Sequence, residues 1–363
     1  MMKLVAGGAG LLAAPAIVKD AFASSGSLNY MGWAGYDASG IFEAFKKATG
    51  ITVALTENPD QDAMFAQSKL AVPTGSADIA EPTFDRFRSW ASNGLIDPWN
   101  LDKLSLSNYI DGMPGAKPGD ESEIDGKHYF VPSVWGTEGL IFSKDAAPLT
   151  YGEASLADLF DEKYTGQVAV RAHSALAAMG RVLETQGKLP KPFRDSYRDE
   201  ATMREVWDVV LAEALKHKSN IAQFWASEND AQGAFRTNGC TIGLGWDSTA
   251  VNLSGDNFGF IAPKEGAFAW CQGFLLMKNA KNIDQAHEWA KWMSSPEGAA
   301  AWASLYKSNS AAKGAVDHVD QSVRDFYAAA YPADAASKLW WWPTQDAWFV
   351  KLRSEYADKF KAA

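Results

Sequence analysis

The spacing of apolar positions changes twice within residues 28–55. Residues 28–31 form a brief extended run that stops at Gly32. From there Ile41, Phe42, Phe45 and Ala48 recur at the interval of one helix face. Asp37 or Ser39 is the predicted cap of that helix, because a short side-chain oxygen accepts a free backbone N–H in the first turn. Gly50 is the predicted left-handed residue that ends it. Ile51, Val53 and Leu55 then alternate with Thr52 and Ala54, as in a half-buried strand. The unit reads as βαβ with a right-handed crossover. In such sheets ligands gather beyond the carboxyl ends of the strands, where Trp33, Tyr36 and Asp37 fall. Packing the loop down is the alternative role for Trp33 and Tyr36, although Gly32 and Gly35 leave little nearby side chain for it.

The same reading continues along the chain. Residues 77–82 predict a short buried strand, with Thr83 and Phe84 at its carboxyl end, and 86–95 a helix that Gly94 ends. Residues 112–127 are rich in Gly, Pro and acids and read as a surface loop. In 129–142, extended apolar runs flank Trp135-Gly136-Thr137, and Glu138 lies beside the expected cleft; Trp135 reads equally as core. A helix, a glycine turn and a strand are predicted over 156–170, then a helix over 203–217 with Val206, Val209, Val210 and Leu215 on one face. Residues 224–230 read as a loop, 230–237 as a short helix, and 241–247 as a buried strand ending at Trp246-Asp247-Ser248. A helix to Trp292 carries Trp289 and Met293 as core residues, and a final helix runs to Lys361.

Several segments in order resemble the spermidine/putrescine-binding proteins, the periplasmic receptors of polyamine ABC importers. Trp33, Tyr36 and Thr49-Gly50-Ile51 match the family's opening strand and helix. Asp78-Ile79-Ala80-Glu81-Pro82-Thr83 matches a segment that lines the family's cleft, which makes Thr83 a candidate. Pro132 to Gly136 is similar to its PxxWG crossover between lobes. Pro263-Lys264-Glu265-Gly266 with Trp270 is the most specific match, and Asn279-Ala280-Lys281-Asn282 continues it. By this resemblance Trp246 and Trp270 face the ligand, and Gln345, in a WQ-like region, reaches the cleft. The run 340–342 reads more readily as packing.

The acids of the family's site are missing. Aligned from Gly166, two of the three positions fall on His173 and Leu176, and the third is Gln272, which hydrogen-bonds but supplies no charge. Arg171 stands beside them and would repel an ammonium group, so it reads as a partner for a ligand carboxylate or phosphate or as an exposed, solvated cation. His173 reads equally as a buried structural histidine and as a ligand contact. Asp247, Glu138, Asp37 and Asp85 remain to neutralise an amine.

The resemblance implies an α/β fold of periplasmic-binding-protein type, with two lobes, two hinge crossover strands and a ligand cleft between the lobes. Lobe 1 would comprise 24–136 and 273–310, and lobe 2 would comprise 137–272 and 311–363. The implied function is the periplasmic substrate-binding component of an ABC importer. Its expected partners are a polyamine-like or other amine-bearing solute and the permease subunits in the inner membrane, with the receptor a monomer. A zwitterionic or anionic solute, opine-like or amino-acid-like and held by Arg171, is the alternative.

Composition narrows the choice. The chain has 363 residues and a net charge of −10 without a basic stripe, which argues against a nucleic-acid partner and is compatible with attracting cations. Fifteen Trp offer flat faces that attract cations or stack on sugars. Neither a Cys/His cluster nor HExxH occurs, so no metal or other cofactor is expected. The spacing of Cys240 and Cys271 from Trp246 and Trp270 argues against a disulfide between them. No nucleophile elbow or triad spacing is present, so no catalytic residue is expected. An extracellular carbohydrate-cleaving enzyme using Glu138 and Asp247 is the less favoured class. Residues 1–23 read as a secretory signal cleaved after Ala21-Phe22-Ala23, and their tail is similar to twin-arginine signals although no arginine pair precedes it.

Overall fold

The computed structural model describes residues 26–34, 39–306 and 309–363. Residues 1–23, read above as a signal, and Tyr36 and Asp37 lie outside these residues.

The opening βαβ unit forms as its apolar spacing requires. Strand Ser27–Trp33 pairs in parallel with Thr52–Asn58, with Leu28 opposite Val53 and Tyr30 opposite Leu55. The helix between them, Ser39–Thr49, buries Ile41 and Phe45, and Gly50 ends it at φ 80°, a conformation that costs glycine no Cβ clash. Strand Ile79–Ala80 pairs on the other side of Ser27–Trp33. Just before it, the buried Asp78 accepts backbone N–H groups from Asn29, Lys281 and Asn282. That carboxylate therefore ties the first strand to a segment two hundred residues later.

Two long strands carry the chain from one core to another. Val131–Ser143 and Phe268–Met277 run antiparallel, with Trp270 opposite Gly136 and Gln272 opposite Val134, and the register shifts after Gln272. Their first-lobe ends meet Ile79–Ala80 and the core of Tyr30, Phe45, Phe87, Phe274 and Trp289. Their second-lobe ends meet strand Ile242–Trp246, which pairs in parallel with Val168–Val170, and the core of Leu140, Phe193, Trp207, Phe268 and Tyr356. A short third link, Asn309–Ser310, pairs with Val134 and Trp135. The fold is the expected α/β arrangement of two lobes joined by crossover strands.

Three local expectations differ. Residues 156–164 form two short 3-10 turns rather than an α-helix. Ser155 and Asp158 close a capping box around the first, and Asp161, extended at its end, caps the second. Helix Glu200–Lys216 buries Val206 and Val210, whereas Val209 is exposed because it falls off the face that packs. Residues 221–224 add a strand, Ile221–Phe224, beside Val168–Val170. Cys240 and Cys271 are free and buried, one in each of two separate apolar clusters. No described helix is long and apolar enough to cross a membrane.

Trp289 is fully buried and its ring touches those of Tyr30, Phe42, Phe45, Phe274 and Trp292. Truncating a buried aromatic loses transfer free energy and leaves a cavity. Trp289→Ala is therefore expected to lower unfolding stability by about 3–5 kcal/mol in denaturant titrations.

Candidate functional site

Gly136 sits at the middle of the first crossover strand, and two candidate residues converge on it. A Cβ there would lie 2.3 Å from Cζ2 of Trp270 and 3.0 Å from Oδ1 of Asp247. The missing side chain is what lets the indole lie flat on the strand. Asp247 begins helix Asp247–Leu253 and is 3% exposed. Its carboxylate accepts the backbone N–H of Thr137 at 3.2 Å and of Ser248 at 2.9 Å. It thus fastens the second lobe to the crossover strand. Burial pushes its pKa up to about 7 against those two hydrogen bonds, with Glu228 adding to the rise.

The next inward position on the same strand is Glu138, which is fully buried. Arg171 grips it with two bonds, Nε to Oε1 at 2.9 Å and Nη2 to Oε2 at 2.6 Å, and the Ser174 hydroxyl adds a third at 3.0 Å. This is the bidentate fork that suits arginine to a carboxylate. The guanidinium packs against two indoles, 5.3 Å from the Trp225 ring and 5.0 Å from the Trp246 ring, which themselves meet edge-to-face at 4.8 Å. Arg171 thus has an internal carboxylate as partner, and Glu138 is already neutralised. Helix Ala172–Thr185 starts immediately after Arg171. His173 in its first turn packs 6.4 Å from the Trp342 ring, and burial followed by the charges of Arg171 and Arg353 holds its pKa well below the ordinary value.

Trp33 and Thr83 come from the first lobe and Gln272 from the second crossover strand. Trp33 is anchored, its Nε1 donating to the Glu81 carbonyl at 2.8 Å. Thr83 bridges to Gln272 across the strands, its N–H donates to Gln61 Oε1 at 3.1 Å, and its hydroxyl is bonded to Gln61 and Asp85. Glu81 is fully buried, bonded by the Tyr30 and Ser133 hydroxyls, and burial pushes its pKa up to about 7. Phe84 turns inward instead of toward these residues. Its ring is buried and stacked on Phe87 at 5.1 Å with Phe130 edge-on at 5.1 Å, because the turn after Thr83 directs it into the first core.

From the other side, Gln345 is buried and its N–H donates to the Asp85 carbonyl at 2.6 Å. Arg353 Nη1 donates to Gln345 Oε1 at 2.7 Å. Trp340 packs on Phe193 and Phe268, and Trp342 stacks on Phe268, so these two rings serve the second core, as expected of that run. Trp341 lies 6.2 Å from Trp135 at the crossover. Sequence reasoning missed Trp225, Gln61, Glu81 and Arg353. Trp225 stood in a stretch read as loop, and Arg353 stood on an ordinary-looking helix; only the tertiary fold brings Trp225 against Arg171 and Trp246 and Arg353 against Gln345.

Two tests follow. Removing one member of a buried ion pair strands the other charge in a poor solvent. Arg171→Ala is expected to cost about 3–5 kcal/mol of stability, and adding Glu138→Gln to it should recover part of the loss in thermal unfolding. The second test is pH dependence. Asp247 and Glu81 keep a proton in the folded state up to about pH 7, whereas their ordinary values are 3.8 and 4.5. The folded protein therefore binds more protons than the unfolded chain between about pH 4 and 7, and stability from this source falls as pH rises through that window. Glu81→Gln should flatten the fall measured by chemical denaturation at stepped pH.

The matches to known proteins agree with this architecture. Residues 40–333 match the model of the bacterial extracellular solute-binding protein family. The putrescine-binding periplasmic protein PotF of Escherichia coli is 26% identical over 357 residues, spanning 93% of this chain and 91% of that protein. A spermidine/putrescine-binding periplasmic protein of Haemophilus influenzae is 25% identical over 266 residues, 72% of this chain and 68% of that protein. Among solved structures, the spermidine/putrescine ABC transporter substrate-binding protein PotD of Streptococcus pneumoniae superimposes with a TM-score of 0.73 at 19% identity, covering 93% of this chain and 98% of that one. With the family model matched over most of its length, the chain belongs to the bacterial extracellular solute-binding proteins.

Proposed function

We propose that this protein is the periplasmic substrate-binding component of an ABC importer, and that its interlobe cleft takes a small organic solute with one amine end and no second free ammonium. Delivery then follows from linkage: a solute that contacts both lobes favours their closed arrangement, and a permease in the inner membrane reads that arrangement. The observation that carries the choice of solute is the ion pair between Glu138 and Arg171. A diamine needs two compensating charges in a desolvated cleft. Here Glu138 is committed to a guanidinium, Gln272 is neutral, and Asp247 holds two backbone N–H groups. The indoles of Trp33, Trp246 and Trp270 supply faces for an alkyl chain and one cation, each worth ~1–2 kcal/mol when desolvated.

A simple diamine is the second reading, favoured by the names of the relatives and by the retained Trp positions. Under it, Asp247 would have to ionise and face the amine.

A thermal-shift screen of the mature protein separates them, because a ligand that binds only the folded state raises the melting temperature. Diamines, ω-amino acids, quaternary amines, opines and sugars form the panel. The expected result is a concentration-dependent rise with solutes of zero or single positive charge, exceeding that with putrescine or spermidine at equal concentration. A dominant rise with putrescine would replace this reading by the second one.

A further inference from the structure

Three arginines stand near the cleft, and two of them are balanced. Arg171 holds Glu138 with two bonds, and Arg86 holds Asp62 at 2.7 Å. Arg353 is different. Among the described residues it has no carboxylate within 4.0 Å, and its recorded hydrogen bond goes to the neutral amide of Gln345. Asp85 is the acid that acts on it from a distance, while Arg86 and Arg171 act in the opposite sense; the Asp85 carboxylate already accepts from the Thr83 hydroxyl.

Its position makes the imbalance informative. Arg353 projects from the C-terminal helix Ala347–Ala362. Gln345, to which it is bonded, touches the first-lobe turn at Asp85. His173, from the second lobe, feels the charges of both Arg353 and Arg171. Tyr197 also lies within reach of Arg353. The guanidinium therefore stands where both lobes and the C-terminal segment meet. Burial is the main influence on its proton affinity, which is pulled down to about 10, so the group stays charged at neutral pH. The guanidinium is only half-buried, and with one neutral amide as its partner its charge has no carboxylate beside it and its remaining N–H donors are open to a further acceptor. A carboxylate matches both the planar fork and the charge.

We propose that Arg353 takes the anionic end of the transported solute as a carboxylate, with Gln345 holding its side chain in place. This rests on the reading that the solute carries an amine and a non-cationic end. The ligand class is then an ω-amino carboxylate or a related zwitterion: its chain lies on the Trp faces, and its carboxylate reaches Arg353 rather than Arg171. Arg353 is a specificity residue in this account, selecting against a second ammonium by like-charge repulsion.

The experiment compares the full mature protein with Arg353→Gln and Arg353→Lys by calorimetric titration. Two ligands of equal length are used, 4-aminobutanoate and butane-1,4-diamine, with 13C-acetate line broadening as a probe of the anion subsite alone. The expected result is a loss of at least 30-fold in 4-aminobutanoate affinity for Arg353→Gln, partial retention for Arg353→Lys, unchanged or tighter diamine binding, and loss of saturable acetate broadening. An equal loss for both ligands, or acetate broadening that survives Arg353→Gln or is absent from the native protein, overturns the proposal by leaving Arg353 as a clasp for Gln345. Native 4-aminobutanoate binding that survives Arg353→Gln overturns Arg353 but leaves the zwitterion reading intact. Acetate binding that depends on Arg353, without any 4-aminobutanoate binding, supports the anion subsite and removes that reading of the solute.

Discussion

The cleft depends on one buried ion pair. Glu138 lies on a strand that belongs to both lobes, and its charge is placed where water does not reach. Such a carboxylate needs a partner, and Arg171 provides one with a fork of two hydrogen bonds. Its consequences spread through the second lobe. Holding the guanidinium fixes the start of helix Ala172–Thr185 and provides the cation around which Trp225 and Trp246 pack. It also removes from the cleft the one acidic side chain that the crossover strand could have offered to an amine. The same contact therefore serves stability and leaves Glu138 already paired within the protein.

Around that pair, the remaining charges are arranged asymmetrically. The buried acids Asp247 and Glu81 face backbone N–H groups and hydroxyls rather than cations, so burial raises both toward neutrality. Among cations, Arg353 lacks the carboxylate its two neighbours enjoy. A net acidic chain can thus present a cleft that is locally short of negative charge. Net charge describes the long-range field and solubility, while recognition is decided by which local charges are already spent.

Much of this was legible in the order of residues. The βαβ opening and the burial of Trp289 follow from period-two and helical spacing, which depend on local geometry, whereas the crossover strands were implied by the resemblance to polyamine receptors. Trp246, Asp247, Trp270 and Gln272 fell at strand ends or on the crossover, and the fold puts them there. Partnerships were not legible. Glu138 and Arg171 are 33 residues apart, and each looked free to meet a ligand until the sheet register brought them together. Phe84 followed the candidate Thr83 in sequence, but a 3-10 turn rotates it into the core. Arg353 gave no local sign, because what distinguishes it is a missing partner.

The central claim is that the Arg171–Glu138 pair denies the cleft to a second ammonium group. Arg171→Met tests it most directly, since it frees the Glu138 carboxylate while keeping an apolar side chain against the two indoles. Calorimetric titration with butane-1,4-diamine is the measurement. The account predicts affinity at least tenfold tighter than that of the native protein. Native affinity that is already tight, or no gain on freeing Glu138 in a variant that remains folded, would contradict it.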